Sequence, residues 1–107
     1  MQENIIHLMK TDNQGNDLSD LNNSFIKKAC QTFGGASVLD GKGLWYDKEG
    51  NKYEDEILRV IIGFNPSSSS DGLTNNRNIF LNMAQQYKDD AMQEAVYIVL
   101  DGAISFI

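Results

Sequence analysis

"ASVLDGKGLWYDKEGNKYEDEILRVIIGF", residues 36 to 64, decides the fold, because along it apolar and polar side chains change places at every second position. A period of two is the signature of a half-buried β-strand. The run breaks once, at "DKEGNK", where Gly50 suits the positive φ of a short hairpin loop. Two antiparallel strands are therefore predicted. In the second, Leu58, Val60, Ile62 and Phe64 share one face, and Ile57, Arg59, Ile61 and Gly63 share the other. In the first, Gly41, Gly43 and Trp45 lie on one face. Absent side chains at 41 and 43 either let the indole pack over them or leave a groove beside it for a planar ligand.

The flanks switch period. Before the hairpin, Leu18, Leu21, Phe25, Ala29, Cys30 and Phe33 recur at spacings of three and four. They predict an amphipathic helix capped near Asp17 or Ser19 and stopped by Gly34 and Gly35. Ahead of it, "NIIHLMK" (4–10) reads as a strand closed by the turn "TDNQGN". After the hairpin, Pro66 opens a polar loop, "NPSSSSDGLTNN". A second helix is predicted from about Leu73 to Asp89, with Leu73, Phe80, Met83, Ala84 and Tyr87 on its inner side. "EAVYIVL", a turn at Asp101 and Gly102, and "AISFI" supply one or two closing strands. The order β-α-β-β-α-β predicts one α+β domain over 1–107. Its architecture is a two-layer sandwich, ferredoxin-like, with an antiparallel sheet of four or five strands and two helices on one face.

Two helices leave the other sheet face uncovered, yet Ile5, Met9, Ile57, Ile61, Tyr97 and Val99 fall on it. Burying such a set at ~25 cal/mol per Å² is worth on the order of 10 kcal/mol. A partner subunit is expected to cover this face, so a homo-oligomer is predicted. The alternative is sheet curvature with the C-terminal strand folded across it.

Composition narrows the function classes. A chain of 107 residues with 41% apolar residues buries a core without disulfide or metal. No apolar run approaches the ~20 residues of a membrane span. The N-terminus lacks the pattern of an export signal, and Cys30 sits alone in a helical apolar stripe. A buried thiol and a reducing cytoplasm are expected. A net charge of −6 speaks against long nucleic acids and anionic membranes.

Catalytic constellations are sparse. His7, the one histidine, lies in a strand, far in sequence from Cys30, and Glu54-Asp55-Glu56 and Asp89-Asp90 look solvated. No Cys/His set has metal-ligand spacing, and "SSSSDG" lacks the lysine of a P-loop. Binding features are better placed. Of the two arginines, Arg77 opens the second helix beside Asn75 and Asn76, where free N–H groups favour an anion. Arg59 interrupts an apolar strand on the face expected to be covered. With Trp45 or Phe64 as a stacking surface, these residues form the expected ligand site, with no catalytic residue, metal or cofactor.

Residues 34 to 106 resemble an uncharacterised bacterial domain family. It carries a Gly-x-Gly-x-Trp hairpin and a Gln-Glu-Ser-Val strand, matched here at Gly41, Gly43, Trp45, Gly50, Gln93, Glu94 and Val96. The family's arginine before the hairpin turn is Tyr46 here, and the export signal of its many lipoprotein members is missing. That resemblance implies a fold and no function. The turn "TDNQGN", "FGG" after the first helix and "GKGLW" on the hairpin also resemble the small phage proteins that antagonise the Thoeris immune system. This second resemblance implies a non-enzymatic, oligomeric anti-defence sponge. Its partner is a small nucleotide, either a cyclic ADP-ribose-type signal or a cyclic oligonucleotide. The competing expectation is an acidic protein-protein interaction module with no small-molecule ligand.

Overall fold

The computed structural model describes residues 3–64 and 70–107, with the side chains of 70–74 excepted. The expected polar loop after Phe64 therefore lies largely outside the described residues. Seven elements follow in order: β1 (Glu3–Met9), α1 (Ser19–Phe33), β2 (Ser37–Tyr46), β3 (Lys52–Gly63), α2 (Ser70–Asp90), β4 (Tyr97–Leu100) and β5 (Ala103–Phe106). The strands form one antiparallel sheet in the order β2-β3-β1-β4-β5. Each helix carries the chain over one intervening strand, α1 from β1 to β2 past β3 and α2 from β3 to β4 past β1. The architecture is α+β in two layers.

The alternation read from the sequence places the core. Ile6, Leu8, Val60, Ile62 and Ile98 from the strands meet Phe25, Ala29 and Phe33 of α1 and Phe80, Met83 and Ala84 of α2. Both helices thus cover one sheet face. Phe64 belongs to this core, its ring 5.2 Å from that of Phe33 and 6.1 Å from that of Phe80.

A hydrogen-bonded triangle ties both helices to the end of β1. The Met9 N–H donates to the Tyr87 hydroxyl (2.9 Å), which donates to Asn22 Oδ1 (2.8 Å). Asn22 Nδ2 in turn donates to the Met9 carbonyl (2.8 Å). Burial pushes the Tyr87 phenol up to about 12, against the bond from Met9, which pulls it down. Asn22 and Tyr87 are fully buried polar side chains made acceptable because each finds partners.

Local chemistry departs from expectation at three places. The residue preceding α1 is Leu18, whose aliphatic side chain has no acceptor to cap with, while the Asp17 carboxylate accepts from the Ser19 hydroxyl. At the other end Gly34 adopts φ 95° and its N–H reaches the Cys30 carbonyl, so the predicted stop is where it was expected. Helix α2 starts at Ser70, three residues before the expected Leu73, and Cys30 is only half-buried.

The outer sheet face is partly closed by the chain itself. Ile5, Ile57 and Val99 are each less than a tenth exposed, and Met9, Ile61 and Tyr97 are half-buried. The final strand does not fold across them. It extends the edge of the sheet, pairing Phe106 with Tyr97 and Ile104 with Val99. Most of the large exposed apolar side chains sit instead on the two edge strands, among them Leu39, Leu44, Trp45 and Tyr46 of β2 and Ile104 and Phe106 of β5.

Candidate functional site

The hairpin register brings the glycines, the tryptophan and an acid together on the outer face. Gly41 pairs with Ile57, Gly43 with Asp55 and Trp45 with Tyr53. The two glycines serve different ends. A Cβ at Gly41 would touch the Ile57 side chain at 3.5 Å, so that gap is already filled. A Cβ at Gly43 would meet nothing within 4 Å. The indole does not pack back over either of them. It stacks on Tyr53, with centroids 4.1 Å apart and 11° between planes, and Nε1–H donates to Asp55 Oδ2 at 3.3 Å.

The open space beside Gly43 is a cavity of about 430 Å³, within the range of small-ligand pockets. Trp45 and Asp55 from the hairpin, Ile57 from β3, His7 from β1 and Tyr97 and Phe106 from the C-terminal strands contribute to its wall. Distant segments meet there because β1 lies between β3 and β4. On β1, His7 sits opposite Arg59, which donates from Nη1 to Nε2 at 2.9 Å. The imidazole stacks on Tyr97 (4.3 Å, 25°), and Tyr97 meets Phe106 edge-on at 5.5 Å. Burial first, then the Arg59 charge, hold the His7 ring below its usual range, so it is uncharged at neutral pH.

Of the residues read from the sequence as a ligand site, Trp45 lines this cavity and Arg59 stands next to it, engaged with His7. The others lie elsewhere in the chain. Phe64 is in the core on the opposite sheet face, with both ring neighbours supplied by phenylalanines. Arg77, expected to face an anionic ligand at the start of the second helix, forms an ion pair with Asp101 at the β4–β5 turn instead. Asn75 is exposed and Asn76 half-buried on α2, in the helical layer. Asp55, Tyr97 and Phe106 were missed as site residues. Alternation alone puts Asp55 on the face of Trp45, but the run of three acids masked it as a solvated patch. Among the described residues no three His, Cys, Asp or Glu side chains converge on a metal position, and no helix is long and apolar enough to cross a membrane.

No protein-family model matches the chain, and no curated protein matches it. Two solved structures do. One is a phage SAM lyase in complex with S-methyl-5'-thioadenosine, with a TM-score of 0.68 and 15% identity over 98% of this chain and 87% of that one. The other is a phage SAM lyase in the apo state, with a TM-score of 0.63 and 17% identity over 98% and 86%. The likeness is one of fold.

It corrects the functional expectation nonetheless. Both of these solved structures are of an enzyme, and the ligand held by one of them is a thioadenosine and not a cyclic nucleotide. The non-enzymatic sponge, with its anti-defence and cyclic ADP-ribose associations, is overturned by that finding. The physical reason agrees: within one chain Arg59 and Trp45 lie on one sheet face, while Phe64 lies on the other and Arg77 is paired with Asp101.

Proposed function

We propose that this chain is a cytoplasmic lyase acting on S-adenosylmethionine, bound in the outer-face cavity beside Gly43. The observation that carries the proposal is the cavity itself, walled by Trp45, Tyr97 and Phe106 and left open by Gly43, in a fold that accommodates S-methyl-5'-thioadenosine in a solved structure. Aromatic faces suit an adenine ring, and a planar base can enter where Gly43 withholds a side chain.

The chemistry is consistent with such a wall. S-methyl-5'-thioadenosine is what remains of the substrate when the bond from sulfur to the amino-acid-bearing carbon breaks. The electron pair stays on sulfur, which leaves as a neutral thioether. The carbon is then satisfied without water by closure of the substrate's own carboxylate onto it, a carbon–oxygen bond forming as the carbon–sulfur bond breaks, with no proton to remove. Positive charge on sulfur fades along this path. A mostly apolar, aromatic wall excludes water that would otherwise compete for that carbon. Trp45 and Tyr97 would hold and orient the base, and the neutral His7 ring adds no competing cation to the wall.

An assembly of more than one copy belongs to the same proposal, because Leu44, Trp45 and Phe106 at the rim of the cavity stay half or more exposed in the single chain.

Incubation of the purified protein with S-adenosylmethionine, followed by mass spectrometry, tests the activity. Release of S-methyl-5'-thioadenosine is expected. Gly43→Leu should abolish it while leaving the circular dichroism spectrum unchanged, since nothing in the fold opposes a side chain there. A wild-type protein that neither consumes nor binds the substrate removes the proposal.

A further inference from the structure

We infer that Asp55 makes the cavity read the charge on sulfur, so that it selects an adenosyl sulfonium over the corresponding neutral thioether. This rests on the proposed function and names what that site recognises.

Three observations carry it. First, among the described residues Asp55 is the one acidic side chain in the wall, and no lysine or arginine joins it there. Its sequence neighbours Glu54 and Glu56 point to the other face by alternation, and Glu54 is taken by Lys52 at 2.9 Å. Arg59, the cation of this strand on the same face, is separated by Ile57 and is engaged with His7. Second, the carboxylate is aimed and half-buried. Trp45 Nε1–H fixes one oxygen at 3.3 Å, which leaves the second free for a ligand, and Gly43 stands opposite with no side chain to block the approach. Third, the remaining polar wall is uncharged, because the His7 ring is held neutral by burial and by Arg59.

A cation seated between this carboxylate and the aromatic rings gains from both, through Coulomb attraction strengthened by partial desolvation and through the ring quadrupoles. The neutral thioether loses both terms at once. Cleavage of the sulfonium therefore cancels the attraction that held it, and the thioether product is released by the same residue that captured the substrate.

The test compares S-adenosylmethionine with S-adenosylhomocysteine, which share every group except the methyl and its charge at sulfur. Dissociation constants come from rapid competition against S-methyl-5'-thioadenosine. Wild type should prefer the sulfonium by about ten-fold, and the preference should shrink as salt is raised. Asp55→Asn, whose amide oxygen can still accept from Trp45, should cut the ratio several-fold, to what the aromatic rings alone supply, without changing affinity for the thioether. Asp55→Lys should invert it. A ratio that Asp55→Asn leaves unchanged, or an equal loss for both ligands, overturns the inference while the lyase proposal stands. Failure of both ligands to bind wild type removes the lyase proposal and this inference together.

Discussion

Arg59 and His7 face each other across the centre of the sheet, with Nη1 2.9 Å from Nε2. A guanidinium only donates, so Nε2 is the acceptor and the ring proton resides on Nδ1. One cross-strand pair thereby sets both the tautomer and the charge of a cavity-wall residue.

The first prediction concerns that imidazole, which as the chain's one histidine can be followed without assignment by nuclear magnetic resonance. Its titration midpoint should fall below the usual value of 6.5, chiefly through burial and secondly through Arg59. The sign for stability follows. Above 6.5 the ring is neutral in both folded and unfolded chains and contributes nothing. Below it the unfolded chain takes up the proton first, so stability declines until the folded midpoint is passed. Arg59→Gln should raise the midpoint. No movement in that variant would show that Arg59 does not hold the ring.

Tyr87→Phe removes the vertex of the triangle joining β1, α1 and α2. The Met9 N–H loses its partner at 2.9 Å, and Asn22 Oδ1 loses its donor at 2.8 Å. A cost of about 1–3 kcal/mol is expected, the range for a buried group left unsatisfied. Urea denaturation measures it. In wild type, ultraviolet titration should find one phenol ionising late, near 12.

The turns after β1 and β2 are built alike from Asp-x-x-Gly-Asn. Asp12 Oδ1 accepts the N–H groups of Gln14 and Asn16, each at 2.9 Å, and Asp47 Oδ1 accepts those of Glu49 and Asn51 at 3.0 and 2.9 Å. Gly15 and Gly50 take φ of 82° and 84°. Both carboxyls are held below their usual range, Asp12 first by the Asn16 side chain and Asp47 first by the Asn51 backbone. Their contribution is present above the unfolded carboxyl value, near 3.8, and is lost as pH falls through the folded values. Asp47→Asn and Asp12→Asn should therefore lower stability at pH 7 and flatten its decline in acid. Denaturation midpoints across that range measure the slope, and parallel curves would exclude the role.

Helix α2 ends on a left-handed Met92, φ 53°, with Met92 N–H bonded to the Asp89 carbonyl and Gln93 N–H to that of Lys88. A side chain in this conformation costs about 1–2 kcal/mol, and glycine removes that cost while giving back roughly 0.5–1 kcal/mol in the unfolded chain. Met92→Gly should thus stabilise modestly, whereas Gly50→Ala should destabilise. A lowered melting temperature for Met92→Gly would contradict the balance.

The β2–β3 hairpin, the stop at Gly34, the inner row Val60, Ile62 and Phe64, and the helical face of Phe80, Met83, Ala84 and Tyr87 were all legible in the sequence. Each depends on a period or on a conformation that one residue type favours, and such signals act over a few residues. The start of α2 at Ser70 and the uncapped Leu18 were not legible, because a polar run reads equally as loop or first turn and because the cap position falls on the leucine between the two candidate cap residues, Asp17 and Ser19. The site divides the same way. Trp45 and the vacant Gly43 could be suspected from spacing within one strand. That His7 meets Arg59, that Tyr97 and Phe106 close the same cavity as Asp55, and that Phe64 and Arg77 point elsewhere depended on strand order and register. Those contacts join residues tens of positions apart, and no local periodicity encodes which strand becomes whose neighbour. Only the burial of one continuous core, with β1 drawn in between β3 and β4, decides it.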